Sequence, residues 1–172
     1  MKNIIICGLV GTGKTTISKK IEKELGYKYI DLYEIVKNNV EDKEQASSEC
    51  ASLIDNYLLS LNNDKYVIDC DYLILPKEFN EYISKDKYEI IYLGFKDVDF
   101  NVLYNKFKND YIKRNKEFDD NKLKKQLKYM NDISTKVFND CQKYNYKFFD
   151  INKDKSILIE KIYKYVVNKG GS

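Results

Sequence analysis

The chain opens on an apolar run, Ile4-Ile5-Ile6-Cys7, which reads as a buried strand. Ile17, Ile21 and Leu25 then recur at four-residue spacing and predict a helix. The same alternation continues along the chain. Tyr27 to Asp31 reads as a second strand ending in a carboxylate, followed by a short helix from Tyr33 to about Asn38. Residues 43–61 place Ala46, Cys50, Leu53, Tyr57 and Leu61 on one stripe and predict an amphipathic helix. Tyr66 to Asp69 is a third strand, again ending in a carboxylate. Pro76, the only proline, suits the first position of a helix over 76–84. Tyr88 to Leu93 is a fourth strand, too apolar for an exposed edge, and residues 98–109 read as helical. Residues 110–118 are polar and fit no period. Asp119 or Asp120 then caps a long helix carrying Leu123, Leu127, Met130, Ile133, Val137 and Cys141. Lys147 to Ile151 is a fifth strand, and residues 155–168 make the last helix.

Strands alternating with helices predict an α/β three-layer sandwich, a parallel sheet wrapped on both faces with right-handed crossovers. There is no internal repeat, linker or low-complexity tract, so residues 1–169 read as a single domain. Gly170-Gly171-Ser172 reads as an appended tail. Ligands bind such sheets beyond the carboxyl ends of the strands. Four features fall there: a glycine loop after strand one, Asp31 after strand two, Asp69 and Asp71 after strand three, and Asn152-Lys153-Asp154 after strand five.

The glycine loop carries the strongest chemistry. Gly8-Leu9-Val10-Gly11-Thr12-Gly13-Lys14-Thr15 is a complete G-x-x-x-x-G-K-[ST] phosphate loop between a strand and a helix. Its glycines let successive backbone N–H groups turn inward on phosphate oxygens, and the helix N-terminus adds positive potential. Lys14 reaches the β/γ-phosphates, and Thr15 offers a hydroxyl to Mg²⁺. Gly8, Gly11, Thr12, Gly13, Lys14, Thr15 and Thr16 are therefore the nucleotide-binding candidates, with ATP and Mg²⁺ as cofactors.

Composition adjusts this picture only in places. The 172 residues carry a net charge of +3, so the chain as a whole is not marked as a nucleic-acid binder. Four cysteines lack C-x-x-C spacing and there is no histidine, which argues against a zinc site. Free thiols and the absence of a transmembrane-length apolar run predict a cytoplasmic protein without a membrane partner. Lysine is abundant and Arg114 is the sole arginine. That bias fits drift toward A/T-rich codons and predicts lysine where a relative would carry arginine.

The stretch "IIICGLVGTGKTTISKKIEKELGYKYIDLYEI", the tail "YKFFDINKDKSILIEKIYKYV" and the order of elements resemble the small P-loop kinases: nucleoside monophosphate kinases, shikimate kinases and gluconate kinases. The resemblance implies a five-stranded parallel sheet in the order 2-3-1-4-5 and transfer of the ATP γ-phosphate to a small acceptor. It also implies a helical lid at about residues 105–120 and an adenine-side loop at Asn152. The acceptor motifs depart from each subfamily. Asp31-Leu32-Tyr33 lacks the second carboxylate of the shikimate kinase D-x-D. Asp69-Cys70-Asp71 stands where those enzymes carry a glycine triplet. No histidine is available as in gluconate kinases, and "DCDYLILP" lacks the arginine of nucleoside monophosphate kinases.

Asp69 resembles a metal-ordering carboxylate, against the alternative of a solvated strand end. Asp31 has the position of an acceptor or Mg²⁺-water ligand, and equally that of a helix cap. Asp71 has the weaker claim. Residues 101–130 hold eight lysines and Arg114 against four acidic residues. That basic excess suits a cover over phosphates, with Arg114 as a bidentate contact to the transferring group. Tyr33 and Tyr72 line the acceptor pocket or pack in the core. The expected function is an ATP-dependent small-molecule kinase acting on a nucleotide or nucleoside, as monomer or homodimer. Lys14, Arg114 and Asp31 are its catalytic candidates, and Thr15 and Asp69 its metal candidates. A P-loop NTPase switch, a nucleic-acid end kinase and a nucleotide-binding regulator remain as alternatives.

Overall fold

The computed structural model describes residues 2–9, 11–32, 35, 53, 56–57, 60, 65–70, 74–83, 85–96, 98–114, 119–152 and 155–170. Among them run five strands: β1 (Asn3–Gly8), β2 (Lys28–Asp31), β3 (Tyr66–Cys70), β4 (Tyr88–Gly94) and β5 (Lys147–Asp150). Every pairing is parallel, and the order is β2-β3-β1-β4-β5, as the resemblance implied. The apolar run at the start becomes the central strand because it has helices on both faces. Ile5, Ile6 and Cys7 have no exposed surface, so no polar residue is tolerated on either side.

Five helices are described: α1 (Lys14–Leu25), α2 (Pro76–Tyr82), α3 (Phe100–Arg114), α4 (Asp120–Tyr144) and α5 (Lys155–Gly170). Ile4, Ile6, Val67 and Leu93 face Ile17 and Ile21 of α1 and Ile162 and Val166 of α5. On the other face, Ile5, Cys7, Ile68, Cys70 and Tyr92 meet Phe79 of α2 and Val137 and Cys141 of α4. Helix ends follow local chemistry. The Asp119 carboxylate accepts from the Lys122 N–H at 3.0 Å, which settles the choice between Asp119 and Asp120 as cap. Asn145, at φ 58°, closes α4, and Gly26, at φ 69°, closes α1. Glu78 accepts from the Leu75 N–H at 2.9 Å and locks the entry to α2 ahead of Pro76.

Boundaries differ from the sequence reading where polarity hid the period. α3 begins at Phe100 rather than 98, because Asp99 Oδ1 accepts the N–H of Asn101 at 2.7 Å and caps it. It also runs five residues past 109, to Arg114. The segment 110–114 has no apolar stripe, yet it holds no Gly or Pro, and a solvated helix rim needs no stripe. α5 likewise continues to Gly170 instead of ending at 168. Most of the helix expected from Tyr33 to Asn38 and of the one at 43–61 lies outside the described residues; Ile35 in the former and Leu53, Asn56 and Tyr57 in the latter are helical.

Candidate active site

The phosphate loop is held open from below. A Cβ at Gly8 would stand 2.7 Å from the Leu93 carbonyl oxygen, so only glycine lets β1 pass β4 at this level. Gly11 at φ 81° and Gly13 at φ 92° adopt left-handed backbone, and Gly13 is the N-cap of α1. Their positive φ curls the chain into a concave row of N–H donors at the helix N-terminus. The phenyl ring of Phe107 on α3 lies beside Gly11, 3.3 Å from where a Cβ would be, and stacks edge-on against Phe95 at 5.8 Å.

Two side chains brace this curl. The Thr12 hydroxyl donates to the Leu9 carbonyl at 2.7 Å, and Lys14 Nζ donates to the same carbonyl at 3.1 Å. Lys14 is buried although it is charged. A cation held within the loop supplies the charge that a bound polyphosphate would meet. Thr15 and Thr16, exposed in the first turn of α1, sit at the mouth of the same loop.

The carboxylates converge on the loop from the neighbouring strands. Thr15 Oγ1 donates to Asp69 Oδ2 at 2.6 Å, and Asp69 is 1% exposed. Asp31 is the register partner of Asp69 on the adjacent strand, so both carboxylates leave the same face of the sheet at its carboxyl end. Asp31 is only half-buried. The Tyr29 hydroxyl donates to Asp69 Oδ2 at 3.4 Å, and the Tyr29 ring lies under Lys19 Nζ, 3.6 Å from its centroid. Sequence reading missed Tyr29, favouring Tyr33 and Tyr72. The period of two along β2 was the available signal, since it puts Tyr29 and Asp31 on one face.

A hydroxyl and a carboxylate in direct contact beside a phosphate cradle form a hard oxygen donor pair. That pair suits Mg²⁺, which binds through one or two protein oxygens while phosphates and water fill its remaining positions. Among the described residues no group of three or more His, Cys, Asp or Glu forms a metal cage. The protein donors thus fit a nucleotide-borne magnesium.

On the far side, Asn152 Nδ2 donates to the Lys96 carbonyl at 3.3 Å, and its own N–H donates to Asp150 Oδ1 at 3.0 Å. Lys106 on α3 donates to the Ile151 carbonyl at 3.1 Å. The expected adenine-side loop is therefore tied to both β4 and α3. Arg114 ends α3, and its side chain lies outside the described residues, as do Asp71, Tyr33 and Tyr72. The 105–120 segment consists of the last turns of α3 and the start of α4, with 115–118 outside the described residues.

Behind the loop, Cys7 and Cys70 are register partners on β1 and β3, both fully buried, with Cys141 of α4 in the same core. Burial, together with the neighbouring Cys70, pushes the Cys7 thiol well above its ordinary range, and burial raises Cys141 to about 12. The Cys7 and Cys141 thiols stay protonated, and all three side chains act as small apolar fillers.

A parallel 2-3-1-4-5 sheet, a glycine cradle after the central strand and a carboxylate after its neighbour define the small P-loop kinase fold, and this chain has it. No protein-family model matches the chain. A stretch of 36 residues is 44% identical to the shikimate kinase of Thermodesulfovibrio yellowstonii, and one of 36 is 47% identical to that of Caldanaerobacter subterraneus subsp. tengcongensis. Each match covers 21% of this chain and 21% of the relative, so the chain matches about a fifth of the length of these curated proteins. Among solved structures, the chain is similar to the shikimate kinase from Acinetobacter baumannii in complex with shikimate, with TM-score 0.63, 16% identity and 98% and 94% of the two chains covered. It is also similar to the Bacillus subtilis YorR protein in complex with phosphorylated GDP, with TM-score 0.60, 18% identity and 99% of each chain covered. Deoxyadenosine kinase from M. mycoides, with products dCMP and a flexible dCDP bound, has TM-score 0.52 and 20% identity over 98% and 100%.

Among the described residues no helix is long and apolar enough to cross a membrane.

Proposed function

We propose that the protein is an ATP-dependent phosphotransferase that moves the γ-phosphate to a hydroxyl of a small acceptor, a nucleoside or nucleotide in the first instance. The observation that carries this reading is the 2.6 Å contact between Thr15 and Asp69 beside the cationic Lys14 within the phosphate loop. Phosphoryl transfer asks for in-line positioning and for cations where charge builds on the transferring oxygens. Lys14 supplies one such cation. Thr15 and Asp69 would hold Mg²⁺, which when bound neutralises charge on the β- and γ-phosphates. Asp31, one strand further out and more exposed, has the place to accept the acceptor's hydroxyl proton. Arg114, at the end of α3, would bring its guanidinium to the transferring phosphoryl group when the 105–120 segment closes.

The kinase names among the relatives and neighbours support the reaction class, and the YorR and deoxyadenosine kinase ligands support the nucleotide side of the acceptor range. Screening ADP release over nucleosides, nucleotides, sugars and acids tests the reading. Acceptor-dependent ADP production supports it. Hydrolysis of ATP at the same rate without any acceptor would instead identify an NTPase switch. A steep salt dependence with oligonucleotide acceptors would identify an end kinase.

A further inference from the structure

We propose that Phe107 is a positioning residue of the phosphate loop. Its ring, carried on α3, holds Gly11 and the row of N–H donors in the curl that receives a polyphosphate. This role rests on the phosphotransfer reading only for the ligand, a nucleoside triphosphate. Gly11 is exposed, sits at φ 81° and brings no side chain to anchor itself. A Cβ there would stand 3.3 Å from Phe107 Cε1 and 4.0 Å from Cζ. Apart from its chain neighbours, no other described residue comes within 4 Å of that point.

The ring is itself held from behind. It meets Phe95 edge-on, with centroids 5.8 Å apart and planes at 85°. Phe95 is fully buried, and Ser134 of α4 fixes its backbone on both sides. The Phe95 N–H donates to Ser134 Oγ at 2.6 Å, and that hydroxyl donates to the Phe95 carbonyl at 3.0 Å. One residue before the ring, Lys106 Nζ donates to the Ile151 carbonyl at 3.1 Å. α3 is therefore pinned at 106 and 107 to the ends of β4 and β5, and the ring is a firm backstop for the loop.

The loop's internal brace is weaker for this purpose. Lys14 Nζ donates to the Leu9 carbonyl at 3.1 Å, and a bound polyphosphate competes for that same cation. A backstop on α3 does not depend on where Lys14 points. Cε1 and Cζ also lie on the ring's edge, which carries partial positive charge and does not oppose a phosphate. An apolar ring on this side keeps water from the loop, which strengthens hydrogen bonds made there. α3 ends in Arg114, so one helix braces the loop and carries the guanidinium proposed for the transferring group.

The test is calorimetric binding of two ligands, ATP with Mg²⁺ and inorganic tripolyphosphate, to wild type, Phe107→Leu and Phe107→Ala. Tripolyphosphate has no base and reads the loop alone. Leucine keeps apolar volume against Phe95 but is too short to reach Gly11. Phe107→Leu should weaken both ligands by about fivefold or more, and by the same factor, because the donors lose their alignment. Its thermal midpoint should stay near that of wild type, and Phe107→Ala should weaken both ligands at least as much. Weaker ATP binding with tripolyphosphate unchanged would make the ring a platform for the base and overturn the proposal. Unchanged affinity for both ligands in both variants, whatever their thermal midpoints, would reduce Phe107 to core packing. If no acceptor supports ADP release while these affinities change as expected, the phosphotransfer reading falls and the role of Phe107 stands.

Discussion

The Thr15 hydroxyl donates a 2.6 Å hydrogen bond to Asp69 Oδ2, joining the first turn of α1 to the end of β3 across 54 residues of sequence. That contact places the Thr15 hydroxyl and a buried carboxylate together before any ligand arrives. If they hold Mg²⁺ as proposed, the donors are preorganised and need little rearrangement. Asp69→Asn keeps the shape and removes the charge. It should raise the Mg²⁺ concentration required for half-maximal turnover, whereas Asp31→Asn should lower turnover with ATP affinity largely unchanged. Mg²⁺ titrations of activity and calorimetric ATP binding on both variants separate the roles. Equal Mg²⁺ dependence in wild type and Asp69→Asn would remove Asp69 from the metal shell.

Lys14→Ala should cost roughly 10² or more in turnover, the usual size of a lost charge stabiliser. The fold should survive, since Nζ donates to the loop carbonyl of Leu9 and the apolar core lies beneath it. Circular dichroism and steady-state kinetics check the two halves. A rate within about threefold of wild type would show that the loop does not serve phosphate transfer.

Gly94 and Ser134 form a close packing pair at the end of β4. A Cβ at Gly94 would lie 2.3 Å from Ser134 Oγ. That hydroxyl cannot swing away freely, because it accepts from the Phe95 N–H at 2.6 Å and donates to the Phe95 carbonyl at 3.0 Å. Gly94→Ala should therefore destabilise by about 1–3 kcal/mol, lowering Tm by about 2–4 °C for each kcal/mol in a chain of this size. The double variant Gly94→Ala with Ser134→Ala should lose less than the sum of the two, since the second change removes the closer clash and leaves only the Phe148 ring, 3.0 Å from the added Cβ. Additive thermal shifts would mean that the pair does not interact.

The fold was legible from the sequence because the strands are short apolar runs and the long helix has a clean stripe. Leu123, Leu127, Met130, Val137 and Cys141 are all buried as their spacing implies. The phosphate loop was legible because Gly11 and Gly13 are needed for positive φ and nothing else in the chain has that spacing. What escaped was tertiary. Nothing in the one-dimensional pattern says that Phe107, nearly a hundred residues downstream, lies against Gly11, or that Lys106 donates to the Ile151 carbonyl. Those contacts depend on how α3 lands on the sheet. The extra turn of α3 escaped for another reason: solvated helix is invisible to a hydrophobic period.

Cys7, Cys70 and Cys141 should be unreactive toward an aromatic disulfide reagent at pH 8 in the native Cys50→Ser variant and all react after denaturation. Their burial is the cause. A second consequence follows from the raised thiol of Cys141, at about 12 when folded against an ordinary value near 9. The unfolded chain releases this proton first as pH rises. The group's stabilising contribution is thus complete below about pH 9 and is lost as pH climbs toward 12. Denaturant midpoints measured between pH 8 and 10.5 should fall, and Cys141→Ala should flatten the decline. Rapid labelling of a native thiol in the Cys50→Ser variant would show that this core opens.

Arg114 is the last residue of α3 and the only guanidinium in the chain, within a stretch where eight lysines and this arginine face four acidic residues. Like charges in that stretch repel one another, and a bound triphosphate would offset the repulsion. Hydrogen exchange over 105–120 should therefore be fast without nucleotide and slower with ATP and acceptor. Closure would bring the guanidinium onto the transferring oxygens, where charge shifts as the bond to the leaving oxygen lengthens. An interaction made chiefly in the transition state appears in kcat rather than in ATP affinity. Arg114→Ala should accordingly cut kcat by more than it raises the Kd for ATP. Arg114→Lys should rescue only part of the loss, because lysine keeps the charge but not the planar fork. Unchanged kcat in Arg114→Ala would make this residue ordinary surface charge, and full rescue by lysine would show that charge alone, without bidentate geometry, is what the position supplies.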